Sequence, residues 1–194
     1  MRWFRVADFD SLDLSEQTLR GHSKTDMRRH YTILGRCINN PFSPVKIRNL
    51  NMSKCGLTRE YMKLFMEQVK QCDFLSTLEV LDLSRNSILA AGAKLIALDI
   101  IDNAPNLKHL NLYSNLMELE GLRYIADSLA RNTSITYIDL GKNKIRIKGI
   151  KYLFEALASN PDSGLETLGL RNNTVDDRGI QDITTFLTEG HLTI

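Results

Sequence analysis

Five times along this 194-residue chain the frame L-x-x-L-x-L-x-x-N/C-x-L returns, its apolar positions kept and nearly everything between them changed. The copies run Ile47, Leu50, Met52, Cys55, Leu57; Leu78, Leu81, Leu83, Asn86, Ile88; and Leu107, Leu110, Leu112, Asn115, Met117. They continue with Ile135, Ile138, Leu140, Asn143, Ile145 and with Leu165, Leu168, Leu170, Asn173, Val175, their starts 28 to 31 residues apart. A fixed period of this length marks a stack of small units, none of which can bury its apolar face without a neighbour. A weaker copy, Phe9, Leu12, Leu14, Gln17 and Leu19, precedes them by a longer return of 38 residues, as a terminal unit does when it departs from the consensus.

A second signal follows each frame. Gly92, Gly121, Gly149 and Gly179 stand four residues after the last apolar position, with Tyr61 in that place in the first full copy. Beyond them the apolar spacing changes from alternation to the helical rhythm of Ile150, Leu153, Leu157 and of Ile180, Ile183, Leu187. Each unit is therefore expected to be one strand and one helix. In the strand the fourth and sixth positions point inward and the third, fifth and seventh outward. The ninth-position Asn amide is expected to satisfy backbone groups of adjacent turns, and Cys55, with only a weak S–H donor, to do so less well. The glycine is expected to permit close helix approach or an unusual backbone angle.

The frame, the aligned glycines and the long helical return resemble leucine-rich repeats of the ribonuclease-inhibitor type. That resemblance implies an α/β solenoid, a horseshoe with a parallel sheet on its concave face and helices on its convex face. It divides the chain into an atypical first repeat and helical cap over 1–46, repeats over 47–190, and the start of a further strand or cap at 191–194. Within the first part, Met27, Tyr31, Leu34 and Ile38 have helical spacing behind an N-cap at Thr25 or Asp26. This helix is expected to close the open edge of the core, helped by Trp3 and Phe4.

Members of this family usually bind on the sheet side, so the outward positions become candidate contacts. The third-position row is Ser11, Asn49, Val80, His109, Tyr137, Thr167; the fifth is Asp13, Asn51, Asp82, Asn111, Asp139, Gly169; the seventh is Ser15, Ser53, Ser84, Tyr113, Gly141, Arg171. Tyr113 and Tyr137 are expected to anchor a protein partner, because tyrosine buries much area and keeps a polar tip. His109, Asp139, Arg85, Lys142 and Arg171 would set its orientation, with Val80, Asp82 and Asn111 completing the surface. The competing reading is that the two tyrosines pack on one another.

Other classes find little support. A formal net charge of +2 with no run of basic residues argues against nucleic-acid binding. No apolar stretch approaches the ~20 residues of a membrane span, and Asp8 and Asp10 fall where a signal peptide needs apolar residues. Three cysteines without a C-x-x-C pair fit a reducing compartment, and the N-x-[ST] triplets at Asn51, Asn132 and Asn172 read as accidents. His22, His30, His109 and His191 fall in different units, and Asp82 and Asp139 are separated by a strand, so neither a metal, a cofactor nor a catalytic site is expected.

The expectation is a non-catalytic cytoplasmic module, monomeric alone and heterodimeric with one protein that it regulates by occlusion. Small proteins of this repeat type resemble effectors that bacteria deliver into the host cytosol. A GTPase activator of the Ran-activator type and an actin-capping repeat domain are the alternatives within the family.

Overall fold

The computed structural model describes residues 10–17, 24–38, 46–70, 73–174, 181 and 184. Among the described residues six three-residue strands, β1 (Ser11–Asp13), β2 (Asn49–Asn51), β3 (Val80–Asp82), β4 (His109–Asn111), β5 (Tyr137–Asp139) and β6 (Thr167–Gly169), form one parallel sheet in sequential order. The register pairs Ser11 with Asn49, Asn49 with Val80, Val80 with His109, His109 with Tyr137 and Tyr137 with Thr167. The third- and fifth-position rows are thus physical rows across the sheet. Sequential parallel order follows from the repeat, since every return helix crosses back on the same side and sets the next strand beside the last.

The helices α1 (Lys24–Ile38), α2 (Arg59–Val69), α3 (Phe74–Thr77), α4 (Leu89–Leu95), α5 (Glu118–Leu129) and α6 (Ile147–Ala158) supply the other layer. Between them and the sheet lie the frame's apolar residues: Leu50, Leu81, Leu110 and Ile138 at the fourth position and Met52, Leu83, Leu112 and Leu140 at the sixth are all buried. Helix α4 runs directly into a π-helical turn, Ile96–Ile101. The repeat from Leu78 is one residue longer than the repeat from Leu107, and a π turn is how a helix absorbs one extra residue while keeping its buried face. Ile96, Ala97, Ile100 and Ile101 accordingly stay in the core.

The ninth position holds the turns together as expected. Asn143 donates its side-chain N–H to the carbonyls of Leu112 (2.9 Å) and Leu140 (3.0 Å) and accepts from the Asn115 N–H (2.8 Å). Asn173 repeats the pattern one turn on, accepting from the N–H groups of Asn143 (2.9 Å) and Ile145 (3.1 Å). Cys55 keeps part of it, its thiol donating to the Leu14 carbonyl at 2.9 Å.

The glycines of the helical returns serve close approach. A Cβ on Gly121 would lie 2.8 Å from Met117 Cβ and 3.0 Å from the Ala90 backbone; on Gly149 it would lie 2.9 Å from both Ile145 and Leu122. Tyr61, where the glycine is replaced, faces α1 instead, its ring 6.0 Å from that of buried Tyr31. Helix α1 packs on α2 through Tyr31 and through Gly35, which abuts Gln68, and buries Ile38. Trp3, Phe4, Leu19, His22, Val175, Gly179, Ile180, Ile183, Leu187 and residues 191–194 lie outside the described residues.

Candidate functional site

Strands β1 to β5 each end at the fifth position for a local reason. The carboxylate or amide oxygen there accepts the backbone N–H two residues on: Asp13 from Ser15 (2.8 Å), Asn51 from Ser53 (3.0 Å), Asp82 from Ser84 (2.7 Å), Asn111 from Tyr113 (3.0 Å) and Asp139 from Gly141 (2.8 Å). These Asx turns bend the chain away from the sheet. The eighth residue then takes a left-handed conformation in every repeat, at Glu16, Lys54, Arg85, Ser114, Lys142 and Asn172, with φ between 53° and 60°. None is glycine, so the frame alone holds this geometry. The turn carries the seventh- and eighth-position side chains to the rim of the sheet.

Tyr113 is the centre of that rim. The Arg171 guanidinium carbon lies 4.8 Å from its ring centroid and that of Arg85 5.9 Å. Arg171 also reaches the Asp139 carboxylate at 3.3 Å. Gly141, between Tyr113 and Arg171 in the seventh-position row, makes this possible: a Cβ there would lie 2.8 Å from Tyr113 Cδ2 and 2.9 Å from an Asp139 oxygen. Gly169 likewise leaves room for Asp139, whose carboxylate would be 2.7 Å from a Cβ at that position. Asp139 is consequently buried at 4% exposure, beneath the surface on which the sequence placed it.

Tyr137 has a different neighbour. Its ring lies 5.6 Å from that of exposed His109, tilted by 39°. The ring contacts of the two tyrosines therefore run to Arg and His rather than to each other, and each aromatic is held beside a cationic or titratable group. Asp82 and Asn111 are bridged by a 3.0 Å hydrogen bond, with Val80 half-buried beside them. Arg85, Tyr113 and Lys142 line one open recess of about 280 Å³ together with Asn86 and Ser114. Val80, Asp82 and Asn111 lie on the sheet away from that recess. Asp82 and Asp139 stand two strands apart with Asn111 between them.

The repeat frame did not single out Lys144, Arg146 and Lys148. They were legible in "GKNKIRIK", where cations alternate with residues the frame buries, but alternation conceals them from a search for consecutive charges. Among the described residues no group of His, Cys, Asp and Glu could hold a metal ion, and no helix is long and apolar enough to cross a membrane.

A family model described as Leucine Rich repeat matches residues 74–97 and 131–154. Among solved structures the chain is similar to the tropomodulin C-terminal domain of Caenorhabditis elegans, at 15% identity and a TM-score of 0.60 over 83% of this chain and 91% of that one. It is also similar to leiomodin-1 actin-binding site 2, at 18% identity and a TM-score of 0.57 over 87% of this chain and 90% of that one. Comparison with curated proteins gives no match. At these identities the likeness is one of fold, and it agrees with the repeat frame, the sequential parallel sheet and the asparagine ladder: the protein is a leucine-rich-repeat solenoid.

Proposed function

We propose that this protein is a non-catalytic module that binds one protein partner on its concave sheet and regulates that partner by covering its functional surface. The observation that carries the reading is the pinning of Tyr113 by two guanidinium groups and of Tyr137 by His109 on an open face. Aromatic side chains held in place before binding lose little entropy on contact, which is how hot-spot residues act. Six strands spaced by ~4.8 Å make a platform about 25 Å across, suited to a patch of about 800 Å² on a protein. Val80, Asp82, Asn111, His109, Arg85, Lys142 and Arg171 would contact the partner around the tyrosines, and Asp139 would act by positioning Arg171.

Quantitative affinity capture from a cell lysate tests this, comparing wild type with a folded Tyr113→Ala/Tyr137→Ala variant. A protein retained by the first and lost by the second is expected; equal retention would remove the sheet from the binding surface. One partner merits direct assay. The leiomodin-1 domain that this chain resembles over 87% of its length is named for actin binding, so a filament co-sedimentation assay separates the actin reading from a different protein target. A GTPase activator would instead raise the hydrolysis rate of its captured partner.

A further inference from the structure

Beyond the sheet, alternate residues of each turn face solvent because the ninth and eleventh are buried. In the fifth repeat the outward residues are Lys142, Lys144 and Arg146, followed by Lys148, all exposed, while Asn143 and Ile145 between them are fully buried. Neither these four nor Arg85 has an ion pair among the described residues. The carboxylates nearest in the frame are engaged: Asp139 by Arg171 and the Gly141 N–H, Asp82 by Asn111 and the Ser84 N–H. Exposed Glu118 and Glu120, at the twelfth and fourteenth positions of the fourth repeat, are the acids that the frame sets among these outward positions of the third to fifth repeats. Five cations, Arg85, Lys142, Lys144, Arg146 and Lys148, thus share one flank.

The same flank exposes Leu89 at 47% and Leu116 at 37%. Both hold left-handed backbone, with φ of 59° and 58°, a conformation that a Cβ disfavours. The turns lie side by side, Leu89 donating its N–H to the Asn115 carbonyl at 3.1 Å and Glu118 to that of Asn143 at 2.9 Å. Leu116 and Lys144 occupy the same position on adjacent turns. Leu89 and Leu116 on the third and fourth turns, beside the unpaired cations of the fifth and the recess lined by Arg85 and Lys142, form a surface complementary to a segment that carries both carboxylates and apolar side chains.

We propose that this flank binds an acidic, leucine-bearing segment of the protein partner, one carboxylate of which enters the recess between Arg85 and Lys142. This deepens the protein-binding reading and rests on it. Exposed leucines and Glu118 favour a polypeptide over a nucleic acid, and the concave recess favours it over a flat lipid surface.

The probe is a short fluorescein-labelled peptide of repeated glutamate pairs and single leucines, titrated against the full chain by fluorescence anisotropy. Saturable binding is expected, weakened at least ~10-fold in Arg85→Glu/Lys142→Glu and by added salt, and unchanged in Lys63→Glu, an exposed position on α2. Lys144→Glu/Lys148→Glu, both at exposed positions, is expected to weaken it separately, and melting curves establish that each variant is folded. No saturable binding, or equal binding by the charge-reversed variants, overturns the proposal. So does tighter binding of a single-stranded RNA or of phosphatidylserine vesicles through the same residues. A peptide that fails while lysate capture succeeds refutes the acidic segment alone. One that binds while capture is insensitive to the tyrosines refutes the sheet reading alone.

Discussion

At the scale of single residues, the ninth position shows how one amide can serve two turns. Asn143 satisfies carbonyls of its own and the preceding turn and accepts an N–H from its neighbour, all in a site closed to water. Asn143→Ala strands those groups, and a buried unpaired polar group costs about 1–3 kcal/mol. Equilibrium denaturation is expected to show a loss of about 2–4 kcal/mol. Cys55 is the informative exception. Burial pushes its thiol up to about 11 from an ordinary value of 9.0, so the unfolded chain ionises first as pH rises. The stability this thiol contributes is complete below pH 9 and is lost as pH climbs toward about 11. Denaturation midpoints of wild type are therefore expected to fall more steeply over that window than those of Cys55→Ala; parallel curves would show that the thiol does not titrate with unfolding.

The strand–turn–helix element carries the next level of argument. Its glycines could have served an unusual backbone angle or a close approach, and the structure answers with approach: at Gly121 an added Cβ meets Met117, the Ala90 backbone and Ala93 at 3.2 Å or less. Backbone cannot move aside as a flexible side-chain end can. Gly121→Ala is expected to destabilise by about 1–3 kcal/mol through overpacking, read as a lowered midpoint with an unchanged denaturant slope. The fifth-position Asp and Asn residues also belong to this level. Their place on the outward face was legible from the alternation, but their Asx turns were not, because period two reports which face a residue occupies and not what its oxygen accepts. The left-handed eighth residue escaped notice for a similar reason: Lys54, Arg85, Ser114 and Lys142 carry no compositional mark of positive φ.

For the molecule as a whole, a stack has two ends and each exposes core. At the first end, β1 pairs with β2 and α1 covers α2 with Tyr31 and Ile38 buried. Deleting residues 1–46 would uncover Leu50, Met62 and Phe65, now at most 2% exposed. The melting temperature is expected to fall by roughly 10 °C or more, as loss of several kcal/mol implies in a chain of this size; an unchanged value would mean that the repeats from Ile47 cap themselves. The repeat period, the strand and helix alternation, the rows across the sheet and the role of the asparagines could all be read before any coordinate, because each is a matter of which positions are buried, and burial is written as periodicity. The pairing of Tyr113 with Arg85 and Arg171 and the descent of Asp139 beneath them could not. They depend on lateral distances between side chains 28 to 58 residues apart, and on torsions that a hydrophobic pattern leaves free until neighbouring turns stack.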